Sequence, residues 1–98
     1  MSREVVKALI DALKMEERVV LVTLCSTGGS TPRKAGAKML VHRDSSIIGT
    51  IGGGSLEYQA IKKAQEVFDT GESVYWQCDL GDLGMVCGGH GTVLIEYI

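Results

Sequence analysis

The residues of this chain with the most obvious chemical use lie in three glycine-bearing segments. The first is the run Ile48-Gly49-Thr50-Ile51-Gly52-Gly53-Gly54-Ser55-Leu56-Glu57, where a glycine triplet opens a helical pattern. The start of a helix leaves backbone N–H groups without intrahelical partners and carries about half a positive charge. Glycines placed just before it let an anionic group approach those donors closely. The run matches neither familiar nucleotide signature. Position 57 is Glu57 where GxGxxG requires a glycine, and no GxxxxGK[ST] occurs. The residues leave two readings open, a tight turn that packs a helix against a strand, or a cradle for phosphate or carboxylate.

The second segment, Ser30-Thr31-Pro32-Arg33-Lys34, offers two hydroxyls and two cations, with Lys38 shortly after. Arginine grips phosphate through two parallel hydrogen bonds and lysine adds a mobile point charge, although the same residues also suit a solvated basic turn. The third, Met85-Val86-Cys87-Gly88-Gly89-His90, sets a thiol beside two glycines. Such a thiol is open to a ligand or to sulfur chemistry, or it is a small buried residue at a strand start. Cys78, Cys87 and His90 lack the paired knuckles of a structural zinc site, so no metal site is expected. No Ser/His/Asp arrangement or carboxylate pair stands out, which argues against a self-contained hydrolase.

The elements that must position these segments follow from hydrophobic periodicity. Glu4 to Met15 reads as an amphipathic helix with Val6, Leu9, Ile10 and Leu13 on its packed face and Ser2 as N-cap. Arg18 to Cys25 is an almost unbroken apolar, β-branched run, as expected of a strand covered on both faces, with Cys25 in the core. Ala37 to His42 and Ser46 to Ile51 flank the short polar turn Arg43-Asp44-Ser45 and read as a hairpin, with His42 facing solvent. Ser55 to Asp69 is helical, with Leu56, Ala60, Ile61, Ala64, Val67 and Phe68 on one side. Gly54 serves as its expected N-cap, which places Glu57 at the third helical position, and Gly71 suits the C-terminal cap. Val74, Trp76 and Cys78 alternate against Tyr75 and Gln77, and Thr92 to Ile98 forms a last strand. The expected fold is α/β or α+β, a single domain over residues 1–98 with a mixed sheet of about five strands and two main helices. The strands Arg18–Cys25 and Ser46–Ile51 both run directly into the first two motif segments, and in open α/β sheets ligands gather beyond the carboxyl ends of the strands.

Composition narrows the function classes. A formal net charge of −2 gives no general basic field for nucleic acid. No apolar run approaches the roughly 20 residues needed to cross a bilayer, so no membrane partner is expected. Met1-Ser2-Arg3-Glu4 does not open a secretory leader, and three cysteines without CxxC spacing do not form a disulfide framework. Together these point to the reducing cytoplasm. Homo-oligomerisation is expected of so small a domain, with Trp76 or the last strand as candidate contacts.

Three segments in series resemble the N-terminal domain of the XdhC/CoxI family, accessory proteins for xanthine dehydrogenase and related molybdenum hydroxylases. They are Gly29-Ser30-Thr31-Pro32-Arg33-Lys34-Ala35-Gly36-Ala37-Lys38-Met39, Gly49 to Glu57, and Cys87-Gly88-Gly89 before a terminal strand. The resemblance covers nearly the whole chain. It implies a cofactor-binding chaperone, more than a stand-alone enzyme, that binds the molybdenum cofactor (molybdopterin). Such a protein assists the cofactor's sulfuration with a cysteine desulfurase and passes it to the molybdenum hydroxylase apo-enzyme. On this resemblance the cofactor-binding residues are Ser30, Arg33, Lys34, Gly52, Gly53, Gly54, Ser55, Glu57, Cys87, Gly88 and Gly89. Two departures stand out. The family pattern has a cysteine after the glycine triplet, where this chain has Ser55, so thiol chemistry is not expected at that position. Longer members also carry a C-terminal Rossmann-type domain, which this chain is expected to lack and to receive from a separate partner. A nucleotide-binding oxidoreductase subunit completed by such a Rossmann-domain partner is the alternative reading, and a purely structural interaction module is a third.

Overall fold

The computed structural model describes residues 3–28, 35–79 and 90–98. The elements in order are α1 (Arg3–Lys14), β1 (Val20–Gly28), β2 (Lys38–Val41), β3 (Ile47–Gly49), α2 (Gly54–Thr70), β4 (Val74–Asp79) and β5 (His90–Tyr97). Five strands form one sheet in the order β3-β2-β1-β5-β4. Two helices and five strands agree with the expected class, and the pairings refine it, because all four are antiparallel.

β1 lies at the centre of the sheet, which explains its apolar run. Val20, Val22 and Leu24 point to the face covered by α2, whereas Val19 and Leu21 belong to a second cluster under α1. The α2 face carries the larger core, where Leu56, Ala60, Ala64, Val67 and Phe68 meet Met39, Val41, Val93 and Ile95. Each large side chain so buried contributes roughly 1.5–3 kcal/mol. The helix ends as expected at Gly71, whose left-handed backbone (φ 71°) lets its N–H donate to the Val67 carbonyl at 2.8 Å.

The hairpin is also as expected. Leu40 pairs with Ile48, and the connection closes through hydrogen bonds from Ser45 N–H to His42 O and from His42 N–H to Ser46 O, both 2.9 Å. Asp44 accepts from the hydroxyl (2.6 Å) and the backbone N–H (2.9 Å) of Ser46, and these bonds hold its carboxyl below the usual carboxylate range. His42 is half-buried and not simply solvent-facing, with its Nδ1 3.0 Å from Glu17 Oε1.

Three expectations change. The packed face of α1 is formed by Val5, Ala8, Leu9 and Ala12, while Val6, Ile10 and Leu13 remain 36%, 46% and 57% exposed. One residue step turns a helix by about 100°, so Val5 and Val6 cannot both face the sheet. The small side chains Ala8 and Ala12, together with Gly49 on β3, let α1 approach closely. Cys25 is exposed, because a β-bulge between Leu24 and Ser26 removes it from the strand's alternation. Trp76 packs against the core on the α2 side under the ammonium of Lys63, and Tyr75 and Gln77 are exposed on β4. The expected N-cap Ser2 lies outside the described residues, as does the side chain of Cys78.

Gly49 is the tightest point between α1 and the sheet. With φ at +83°, a Cβ built there would lie 2.6 Å from Val5 Cγ2 and 2.7 Å from the Lys38 carbonyl oxygen. Gly49→Ala should therefore cost about 2–4 kcal/mol from overpacking and left-handed strain. Urea denaturation followed by circular dichroism measures this, and an unchanged midpoint would contradict the close approach.

Candidate functional site

The site begins where β3 gives way to α2. Gly52, Gly53 and Gly54 take φ values of 119°, 74° and 66°, a succession that L-residues with side chains rarely adopt. Gly53, at φ 74° and ψ −168°, occupies a region that only glycine populates freely, and it is the N-cap of α2. The N-cap therefore falls one residue before the expected Gly54, and Glu57 sits one position further into the helix.

That shift leaves Glu57 bound to the turn. Its Oε1 accepts hydrogen bonds from Ile51 N–H (3.2 Å), from Gly53 N–H (3.3 Å) and from the Thr50 hydroxyl. Thr50 Oγ1 in turn accepts from Gly52 N–H at 3.0 Å. The glycine turn thus converges on an anionic oxygen, supplied by the protein's own carboxylate. Glycine has no side chain with which to cap a helix, so the carboxylate reaches back to the N–H of the N-cap residue Gly53 and to that of Ile51 in the turn before it. Ser55 is exposed on the first turn, and an added Cβ on Gly53 would meet nothing within 4 Å.

Strand directions decide where the other two segments leave the sheet. β1 and β3 both run antiparallel to β2, and β1 and β4 both run antiparallel to β5. β1, β3 and β4 therefore point the same way and end at the same side of the sheet. Gly28, His90 and Asp79 pair in one row across β1, β5 and β4 there, and the chain re-enters beside it, with Gly36 N–H donating to the Leu24 carbonyl at 2.6 Å. All three motif segments follow strands that end on this side. Of the expected site residues, Gly52, Gly53, Gly54, Ser55 and Glu57 are brought together. Ser30, Arg33, Lys34, Cys87, Gly88 and Gly89 lie outside the described residues. The bulge at Cys25 lies toward the same end of β1 and was not anticipated, since nothing in an unbroken apolar run signals a bulge. Lys38, beside it in sequence-distant pairing with Thr23, donates from Nζ to Thr23 Oγ1 at 2.9 Å. Among the described residues no group of three or more His, Cys, Asp or Glu side chains is arranged to hold a metal ion, and no helix is long and apolar enough to cross a membrane.

Comparisons with known proteins agree with this architecture. The model of the XdhC and CoxI family matches residues 12–78, and the chain belongs to that family. It is 30% identical over 100 residues to the molybdenum cofactor insertion chaperone PaoD of Escherichia coli (strain K12), covering 98% of this chain and 31% of PaoD. It is 32% identical over 94 residues to the uncharacterized protein YqeB of the same organism, covering 88% of this chain and 17% of YqeB. A crystal structure described as a xanthine dehydrogenase (BH1974) from Bacillus halodurans superposes with a TM-score of 0.76 at 30% identity. The match covers 94% of this chain and 30% of that one. The chain spans less than a third of the length of each of these relatives.

If the Glu57 carboxylate holds the turn, replacing it is costly. Glu57→Ala should lower stability by about 1–3 kcal/mol, the range for removing a charged acceptor from backbone donors, and Glu57→Gln by less. Thermal unfolding of both variants checks the order, and equal stability of Glu57→Ala and the unmodified chain would remove the carboxylate's role.

Proposed function

We propose that this chain is an accessory protein that binds the molybdenum cofactor through its anionic pterin phosphate and helps its sulfuration or insertion into a molybdenum hydroxylase such as xanthine dehydrogenase. The observation that carries this reading is the glycine turn that already hydrogen-bonds a carboxylate oxygen, at the side of the sheet where the other two motif-bearing strands also end. The donors that fit a carboxylate oxygen also fit a phosphate oxygen, so the residues present suit the group. The relationship to PaoD, named as an insertion chaperone for this cofactor, supports the same reading.

In this reading the phosphate takes the place of the Glu57 carboxylate on the N–H groups of Ile51 and Gly53, and the Ser55 hydroxyl adds a donor. Arg33 supplies charge-assisted hydrogen bonds, with Ser30 and Lys34 beside it in sequence. Glu57 then acts as a displaceable stand-in that keeps the turn formed while no cofactor is held. Cys87, between Val86 and Gly88-Gly89, offers a thiol for sulfur or molybdenum, and Ser55 confines its own position to hydrogen bonding. The bound cofactor brings the molybdenum centre, and the chain contributes binding and protection. The partners are an apo-hydroxylase and a cysteine desulfurase, and the compartment is the cytoplasm.

Titration with molybdopterin under reducing conditions, with any Rossmann-domain partner supplied, tests the proposal. Arg33→Ala should weaken binding about tenfold or more, from loss of charge-assisted bonds. Ser55→Asp should weaken it similarly by placing a negative charge at the turn, while an acid in the first helical turn leaves the fold intact. Absence of binding by the unmodified protein would overturn the reading. Micromolar binding of a dinucleotide that excess molybdopterin does not displace would favour a nucleotide-binding subunit.

A further inference from the structure

The Glu57 carboxylate occupies the donors that the proposed function gives to the cofactor phosphate. One oxygen, Oε1, takes the Thr50 hydroxyl, the Ile51 N–H at 3.2 Å and the Gly53 N–H at 3.3 Å. An incoming anion therefore meets a turn whose donors already hold an acceptor, and it must break these bonds to form its own. Bonds to an ionised acceptor are about twice as strong as bonds to a neutral one, so this displacement opposes binding appreciably.

The helix offers the displaced carboxylate no second resting place. An acid on a helix is stabilised by a cation three or four residues away. For Glu57 those positions are Ala60 and Ile61 in one direction and Gly53 and Gly54 in the other. The lysines of α2 are Lys62 and Lys63, five and six residues on, and their ammonium groups lie over the rings of Tyr58 and Trp76. The exchange is also local. Ile51 and Leu56 flank the three glycines and are both buried in the core under α2, so the two ends of the turn stay in place while one anion replaces the other.

We infer that Glu57 is an internal competitor, which lowers the affinity of the glycine turn for the cofactor phosphate and speeds its release. This rests on the proposed cofactor reading and adds the regulation of that same site. A carboxylate tethered at residue 57 is always beside the donors and competes as an intramolecular ligand, whatever the concentration of free anion. The consequence is a site that gives up what it binds, as passing a cofactor onward requires. A carboxylate that served only as a structural cap would act with the opposite sign, because weakening it would loosen the turn and cost affinity.

Glu57→Gln separates the two roles. The amide keeps the length and the oxygen of the side chain but not the charge, so the turn stays bonded while the competitor is weaker. Equilibrium titration with molybdopterin under reducing conditions, with any Rossmann-domain partner supplied, gives the affinity, and dilution of the loaded protein gives the dissociation rate. Glu57→Gln should melt at a lower temperature than the unmodified chain, yet bind about tenfold tighter and release more slowly by a similar factor. Thr50→Val removes one of the three donors to the carboxylate and neither of the N–H groups, and it should tighten binding about threefold. Folded variants that bind no tighter than the unmodified chain overturn the inference and leave the cofactor reading standing. Absence of binding by all three proteins overturns the reading and the inference together.

Discussion

A turn built of three successive glycines in left-handed conformations has no side chain with which to hold its own shape. In this protein the missing constraint comes from four residues downstream, where the Glu57 carboxylate accepts the N–H groups of Ile51 and Gly53 and the hydroxyl of Thr50. That contact fixes the angle at which α2 leaves the hairpin, and with it the placement of Leu56, Ala60 and Ala64 over the sheet. The larger half of the core depends on the same geometry, because it is assembled between that helix face and the inward residues of β1, β2 and β5. The turn is held in an anion-receiving form by an anion of its own. In the proposed function such an arrangement would let the turn keep its shape with and without a bound phosphate.

The antiparallel sheet explains why the strands that precede the three motif segments end on one side of the sheet. In a parallel sheet every strand ends at the same edge, but here only alternate strands do so, and the order β3-β2-β1-β5-β4 makes those alternates β1, β3 and β4. These are the three strands that precede the motif segments. That these three strands end on one side is thus a consequence of strand order.

Much of the fold was legible in the sequence because its patterns were unambiguous. The β-branched run of β1, the hairpin around Arg43-Asp44-Ser45 and the apolar face of α2 each admitted one arrangement, and Gly71 marked its cap. α1 was misread because Val5 and Val6 are adjacent and both stripes built on them are apolar. The choice between them is made by packing, through Ala8, Ala12 and the bare backbone of Gly49, and not by hydrophobicity. Cys25 was misread because a bulge changes which way a side chain points without changing the strand's composition. At the site, the glycine triplet left a tight packing turn and an anion cradle equally open, and the reach of Glu57 back into it depends on the N-cap falling at Gly53. A one-residue difference in cap position is below what propensity resolves.

In the proposed exchange at the turn, a cofactor phosphate displaces the Glu57 carboxylate from the same backbone donors. Nuclear magnetic resonance observes both sides of that exchange, through the amide signals of Ile51 and Gly53 and the side-chain carboxyl carbon of Glu57. On titration with molybdopterin under reducing conditions, all three should move along one saturation curve. The carboxyl carbon should shift toward the position of a solvated glutamate. Saturable binding that leaves the three signals in place would contradict the account and put the cofactor elsewhere on the protein.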